Sequence, residues 1–264
     1  MAEPIKRKPA APALTRSSIR RWRVLDLQEV SHQQVGLEWT PHWHDEWSIG
    51  VVLAGVCDCQ VGGQPWHLPA GTVIRIAPGT VHTGALLPEA HSAGVKVLMW
   101  YLPEDWLQSQ GFHFTAHNQY LHLPELAAAA ANLQDVSALC AWLTELDQAF
   151  SAVTAMAVPV VSPHARQVLR RVQQLVADGH CSVQQAASAC GISREMLHRH
   201  IKRWTGMSPQ QYLRTIQINR ARTLLLQGVC IAETAACCGF ADQAHFSRWF
   251  RRSFGFSPGD LQNA

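Results

Sequence analysis

Short apolar runs broken by glycine and proline dominate the first hundred residues. Trp47-Ser-Ile-Gly-Val-Val-Leu-Ala54, Cys57-Asp-Cys-Gln-Val61, Thr72-Val-Ile-Arg-Ile76 and Val95-Lys-Val-Leu-Met-Trp-Tyr101 read as strands, separated by Gly62-Gly63, Pro69-Ala-Gly71, Pro78-Gly79 and Pro88. No helical crossover fits between them, so the pattern predicts an antiparallel barrel or sandwich. From Leu126 to about Val153 the period changes. Leu133, Val136, Leu139, Leu143, Leu146 and Phe150 recur every three or four residues and predict one amphipathic helix, whose stripe packs on the barrel or on a second copy of the chain. Val158-Pro-Val-Val-Ser-Pro163 breaks the pattern, and everything after His164 reads as helix and turn. The first twenty residues have no period and are expected to be a flexible basic arm. The expected architecture is therefore α+β in two domains: an arm at 1–21, an antiparallel β-barrel plus helix at 22–157, a linker at 158–163, and an all-α domain at 164–264.

Composition narrows the class. With 264 residues and 47% of them hydrophobic, the chain has enough apolar surface for two modest cores. No apolar run approaches the roughly 18 residues that cross a bilayer, and no apolar leader with a small-residue cleavage site opens the chain. A cytoplasmic protein without membrane contact is expected. The eight cysteines are scattered and read as thiols rather than a disulfide framework.

The net charge of +3 conceals a segregation. Residues 1–23 carry +6, residues 24–163 carry −11, and residues 164–264 carry +8, with thirteen basic residues against five acidic. A basic end suited to a polyanion follows a middle that would repel one.

An internal repeat gives the basic end its form. Ser182-Val-Gln-Gln-Ala-Ala-Ser-Ala-Cys-Gly191 matches Cys230-Ile-Ala-Glu-Thr-Ala-Ala-Cys-Cys-Gly239 at an offset of 48. At an offset of 49, Leu197-His-Arg-His-Ile201 matches Phe246-Ser-Arg-Trp-Phe250, and Gly206-Met-Ser-Pro209 matches Gly255-Phe-Ser-Pro258. Each copy meets the requirements of a helix-turn-helix: a small Ala187 or Ala235 where two helices meet, then Gly191 or Gly239 to end the first helix in a left-handed conformation. The second helix of each copy buries Leu197 and Ile201, or Phe246 and Phe250. Arg194, Glu195, His198, Arg199 and Lys202 in one copy, and Gln243, His245, Ser247, Arg248 and Arg251 in the other, are left to meet base edges or phosphates in a major groove of double-stranded DNA. A long helix over Gln211–Leu226 joins the copies.

Over residues 164–262 the sequence resembles the AraC/XylS family of bacterial transcription regulators. The match includes both helix-turn-helix copies, the Gly-x-Ser-Pro segments and Asn219-Arg220-Ala221 of the linking helix. The resemblance implies two recognition helices in successive major-groove turns. It places Glu195, His198 and Arg199, and Gln243, Ala244, Ser247 and Arg248, at base-contacting positions. Ala244 offers only a methyl group there, and Glu195 would accept from a cytosine amino group.

A second constellation lies in the barrel. Pro41-His-Trp-His-Asp-Glu-Trp47 puts His42, His44 and Glu46 on one face of a strand, and the Pro78-Gly79 turn returns His82 beside them. Three imidazoles and a carboxylate suffice for zinc, nickel or iron, or they line an effector pocket without any metal, so no cofactor is required. These segments resemble cupin motifs, and residues 22–157 resemble the cupin-type sensor and dimerisation domain of many AraC/XylS regulators. In metal-binding cupins a ligand glutamate follows the second histidine by four or five residues; Ser48 and Ile49 stand there instead.

The expected function is a regulator, an activator by family habit, that binds a small-molecule or metal effector, forms a homodimer and meets RNA polymerase at promoters. The alternatives are a cupin metalloenzyme, a dioxygenase or isomerase with an accessory helical domain, and a redox sensor built on Cys237-Cys238.

Overall fold

A computed structural model describes residues 16–22, 27–34, 38–87, 95–115, 117–153, 163–177 and 182–263. The N-terminal half packs two antiparallel sheets. The larger holds β1 (Arg16–Trp22), β2 (Leu27–Gln34), β9 (Val95–Leu102), β4 (Trp47–Ala54), β7 (Thr72–Ile76) and β10 (Gln119–His122), in that spatial order. The smaller holds β3 (Glu38–His42), β8 (His82–Leu87), β5 (Val56–Val61) and β6 (Gln64–Pro69). β4 and β7 are buried on both faces, which is why they read as continuous apolar runs. One face looks into the barrel; the other is covered by helices. β6 alternates exposed and buried positions, with Trp66 and Leu68 turned inward.

Gly50 is required in β4 for contact with β9. A Cβ there would lie 2.1 Å from Met99 Sδ and 2.5 Å from the Leu98 carbonyl oxygen.

After α1 (Glu104–Ser109), the expected single helix at 126–153 is two, α2 (Pro124–Ala130) and α3 (Val136–Ala152). Asp135 interrupts it, because its carboxylate caps α3 by accepting from the Ala138 amide at 2.8 Å. The apolar stripe of α3, Leu139, Trp142, Leu143, Leu146 and Phe150, packs on the outer face of the larger sheet. Arg75, in β7, reaches out of that sheet to Asp147 at 2.7 Å and to Gln119, and lies 4.8 Å from the Phe114 and Phe150 rings.

The expected arm at 1–21 overlaps a strand. Residues 16–22 form the edge strand β1, paired to β2 from Arg16↔Gln33 to Trp22↔Leu27; residues 1–15 lie outside the described part. Of the expected linker at 158–163, Pro163 opens α4 (Pro163–Ala177) and the rest is outside the described residues.

The C-terminal half is helical: α5 (Val183–Ala189), α6 (Arg194–Thr205), α7 (Pro209–Leu226), α8 (Ile231–Cys237), α9 (Gln243–Phe254) and α10 (Pro258–Gln262). The repeat is visible in its stops and starts. Gly191 and Gly239 have φ of 66° and 74°; Gly206 and Gly255, ending α6 and α9, have 71° and 79°. Ser208 and Ser257 then cap α7 and α10 with reciprocal capping boxes, each followed by proline at the first helical position.

The two halves share their cores. Trp43, after β3, is buried among Val172, Leu197, Ile201 and Tyr212 of the first helix-turn-helix unit, stacked on Tyr212 at 5.0 Å. The barrel interior, with Trp39, Ile74, Met99 and Tyr101, is continuous with Phe246, Phe250, Phe254 and Phe256 of the second unit.

Candidate effector cavity and nucleic-acid interface

Strand pairing builds the histidine cluster. The β3–β8 register places His42 directly across from His82, with ring centroids 4.4 Å apart. His44, two residues beyond β3, closes the group at 5.0 Å from His42 and 5.3 Å from His82. One ring nitrogen of each lies within 4.8 Å of the others. His42 and His82 are held alike: each Nδ1–H donates to the carbonyl two residues earlier, Thr40 or Thr80, at 2.8 Å. That bond fixes the tautomer and leaves Nε2 with its lone pair. His44 is 3% exposed, and neither of its ring nitrogens has a hydrogen-bond partner.

The environment favours neutral rings. Burial, reinforced by His42, His82 and Arg222, holds His44 well below the ordinary imidazole range. Burial pushes His82 down to about 4 against the opposing hydrogen bond to Thr80, and pushes Tyr101, whose ring lies 4.4 Å from His44, up to about 12. At neutral pH His44 and His82 are uncharged lone-pair donors.

Glu46 does not join it. The backbone leaves the strand after His42, and Glu46 turns to the C-terminal half, where Oε1 accepts from Arg222 Nη1 of α7 at 2.6 Å. Glu46 Oε2 is buried without a hydrogen-bond partner.

His42 and His82 line one end of a cavity with about 70 Å³ of free volume, and His44 stands beside them outside its lining. Cys57, Cys59, Leu68, Ile76, Val97 and Met99 line its apolar part, and Ser253 and Phe254 of α9 close it. The Phe254 ring sits 6.2 Å from His42 and 5.5 Å from His44. The end of the second recognition helix is therefore a wall of the barrel's cavity. Sequence reading missed Phe254, Tyr101 and Arg222 here. The signal for Arg222 was a charge among Ile218, Ala221 and Leu225, on the buried face of α7.

The proposed DNA-facing residues stand mostly in solvent. Arg194, Glu195, His198, Arg199 and Lys202 of α6 are exposed, as are Gln243, Ala244, Arg248 and Arg251 of α9. Ser247 is half-buried. His245 departs from expectation: its ring is half-buried against Phe240, and Nε2 accepts from Trp249 Nε1 at 3.1 Å. At Lys202, Nζ donates to the Gly206 carbonyl at 2.7 Å, sealing the end of α6. The Glu195 carboxyl is held below its usual range by hydrogen bonds to its own backbone and to Ser193 at the start of α6.

Cys237 is exposed, but burial of Cys238 pushes its thiol up to about 11, away from a reactive thiolate. Cys57 and Cys59 share the cavity wall, and Cys59 is raised by a hydrogen bond with Cys57 and by burial.

Comparison with known proteins gives matches to both halves. A profile of the AraC-like ligand binding domain matches residues 25–157, and a helix-turn-helix domain profile matches residues 186–264. The "HTH-type transcriptional activator RhaS" of Klebsiella pneumoniae (strain 342) is 28% identical over 245 residues, covering 84% of this chain and 86% of its own. The Escherichia fergusonii protein of the same name is 42% identical over 77 residues, 29% of this chain and 28% of its own. Among solved structures, ToxT from Vibrio cholerae shares the fold with a TM-score of 0.58 at 9% identity, over 90% of this chain and 98% of that one.

Proposed function

Since the chain belongs to the AraC-type transcription regulators, with an AraC-like ligand-binding domain followed by a helix-turn-helix domain, we propose that it activates transcription by reading promoter DNA with α6 and α9 under control of an effector held at His42, His44 and His82. One observation carries the reading: two helix-turn-helix units 48–49 residues apart each present an exposed second helix bearing arginine, Arg194 and Arg199 in α6 and Arg248 and Arg251 in α9. Supporting it are the +8 charge of residues 164–264 and the relatives' name as activators. In this reading Arg199 and Arg248 contact bases, while Arg194 and Arg251 contact phosphate.

An activator of this kind meets RNA polymerase and works as a homodimer in the cytoplasm. A second copy would use the outer, polar face of α3, because its apolar stripe is covered by the barrel. Among the described residues no helix is long and apolar enough to cross a membrane. The family match points to regulation rather than catalysis, so the imidazole cluster serves sensing.

A mobility-shift titration on the DNA upstream of the gene, repeated at rising salt, tests the reading. Binding should weaken steeply, with a log–log slope of about −0.9 per phosphate neutralised. Absent or salt-indifferent binding overturns it.

A further inference from the structure

The histidine end of the cavity has what a transition-metal ion needs and little of what an organic effector needs. The whole cavity has a free volume of about 70 Å³, whereas pockets for drug-sized organic ligands run to roughly 300–1,000 Å³. A sugar or aromatic acid does not fit while Phe254 is in place. An ion does. Around a zinc-type ion with nitrogen ligands at about 2.0–2.1 Å, three imidazole nitrogens lie about 3.4 Å apart. They lie within 4.8 Å of one another here, so closure takes small ring rotations rather than a rebuilt backbone.

Two further observations point to ligation. His42 and His82 each give Nδ1–H to a backbone carbonyl, the outer support that orients metal-bound histidines. His44 is buried with both ring nitrogens unpartnered, a cost that a bond to metal would recover.

We propose that His42, His44 and His82 bind a divalent transition-metal ion, and that occupation loosens the docking of the C-terminal domain on the barrel. The inference rests on the regulator reading above and names its effector. The ion would arrive beside a cation already in place: the Arg222 guanidinium lies 5.2 Å from the Tyr101 ring and 5.8 Å from the Phe254 ring, the two rings that flank His44 at 4.4 and 5.5 Å. Positive charge added there repels Arg222 and competes with it for Glu46, whose Oε2 is unpartnered. A site with three protein ligands also keeps a further position for water or substrate, and Phe254 covers the open side. Each effect disfavours the docked arrangement relative to the undocked one, and such a difference in affinity is what allows a ligand to shift the equilibrium. Reciprocity follows: weakening the docking must raise metal affinity by the same factor.

The test uses the purified full-length chain, stripped with a chelator and titrated with Co²⁺, Ni²⁺ or Zn²⁺ without DNA. We expect one ion per chain, visible absorption from bound Co²⁺, and loss of both in His44→Gln and His82→Gln but not in His67→Gln, an exposed histidine. Cleavage between the two domains by a trace of protease should rise several-fold on loading. Arg222→Met and, independently, Glu46→Gln should be cleaved rapidly without metal and bind it several-fold more tightly. Circular dichroism checks that each variant folds. Binding that is absent at micromolar ion, or equal in wild type and His44→Gln, overturns the site. Stoichiometric binding with unchanged cleavage and unchanged affinity in both docking variants overturns the coupling. None of these readouts uses DNA, so they and promoter binding fail separately.

Discussion

Arg222 Nη1 donates to Glu46 Oε1 at 2.6 Å across 176 residues of sequence, tying the last third of α7 to the segment that follows β3. The two side chains are 7% and 19% exposed, so the pair is shielded at the seam between the sensor and the reading domain. Around it Thr40 Oγ1 donates to the Arg252 carbonyl at 3.4 Å, and Thr215 Oγ1 lies 3.5 Å from the Pro41 carbonyl. The histidine-bearing segment is thus held from both helix-turn-helix units.

Removing one partner leaves the other charge buried. Such losses cost about 3–5 kcal/mol, and the partial access of Glu46 to water places this pair near the lower end, about 3 kcal/mol. Arg222→Met and Glu46→Gln should each destabilise by that amount, and the double variant by much less than their sum. Urea unfolding of the four proteins measures it. Additive losses would show that the two residues act independently.

On the DNA side, Arg199→Ala and Arg248→Ala should each weaken binding by about 1–3 kcal/mol, roughly 5- to 150-fold, and relax preference at one base pair. Competition with singly substituted operators reads this out. Lys202→Ala should behave differently, because its ammonium is engaged with the Gly206 carbonyl. The expected change is a small loss of stability and a weak, sequence-independent loss of affinity. Identical operator profiles for Arg199→Ala and the wild type would remove Arg199 from base reading.

Much of this was legible in the residues because it is local. Ser208 and Pro209, or Gly191 at φ 66°, are dictated by the helix end they occupy, and the repeat doubled each signal. The β4 and β7 runs were legible because burial on both faces leaves few polar positions, Ser48, Thr72 and Arg75. His82 beside His42 followed from the Pro78-Gly79 turn. What could not be read was long-range: β1 is an edge strand and β2 joins it to β9, both of mixed polarity, and Phe254 and Arg222 acquire roles only from a docking surface 170–210 residues away in sequence. Local pattern explains the buried side of α9; it says nothing about the barrel beyond.

The left-handed helix stops give a stability test. Gly191→Ala meets no neighbouring atom, so its cost should come from backbone strain at positive φ alone, about 1 kcal/mol. Ser208→Ala, which removes a bond to the Gln211 amide at 3.3 Å, should also cost about 1 kcal/mol. Thermal unfolding of the two single variants and their combination should give near-additive shifts, as the sites share no partner.

Thiol chemistry offers a pH test. At pH 8 an alkylating reagent should label Cys230 and Cys237, which are exposed, well before Cys238, whose thiol burial pushes up to about 11. The sign for stability follows from proton binding: between the unfolded thiol's value near 9 and about 11, the unfolded state holds fewer protons, so this group's contribution falls as pH rises through that window. A Cys238→Ala variant should lose part of that alkaline sensitivity. Rapid labelling of Cys238 in the folded protein at pH 8 would contradict its burial.

Phe254 supplies the last test, because it belongs to two structures at once. It ends the buried edge of α9, packed at 4.7 Å on Phe250 and 5.9 Å from Phe256, and it walls the barrel cavity against His44. Phe254→Ala should cost about 3–5 kcal/mol, since both cores lose the ring and neither can collapse fully into the gap. Phe254→Leu should cost less and keep α9 folded while enlarging the cavity. If the ring belonged only to the helical core, the leucine variant would change stability and leave effector response untouched. Because the ring also closes the cavity, the leucine variant should alter the effector concentration needed for half-maximal promoter activation at constant DNA affinity, measured in a reporter assay alongside mobility shifts.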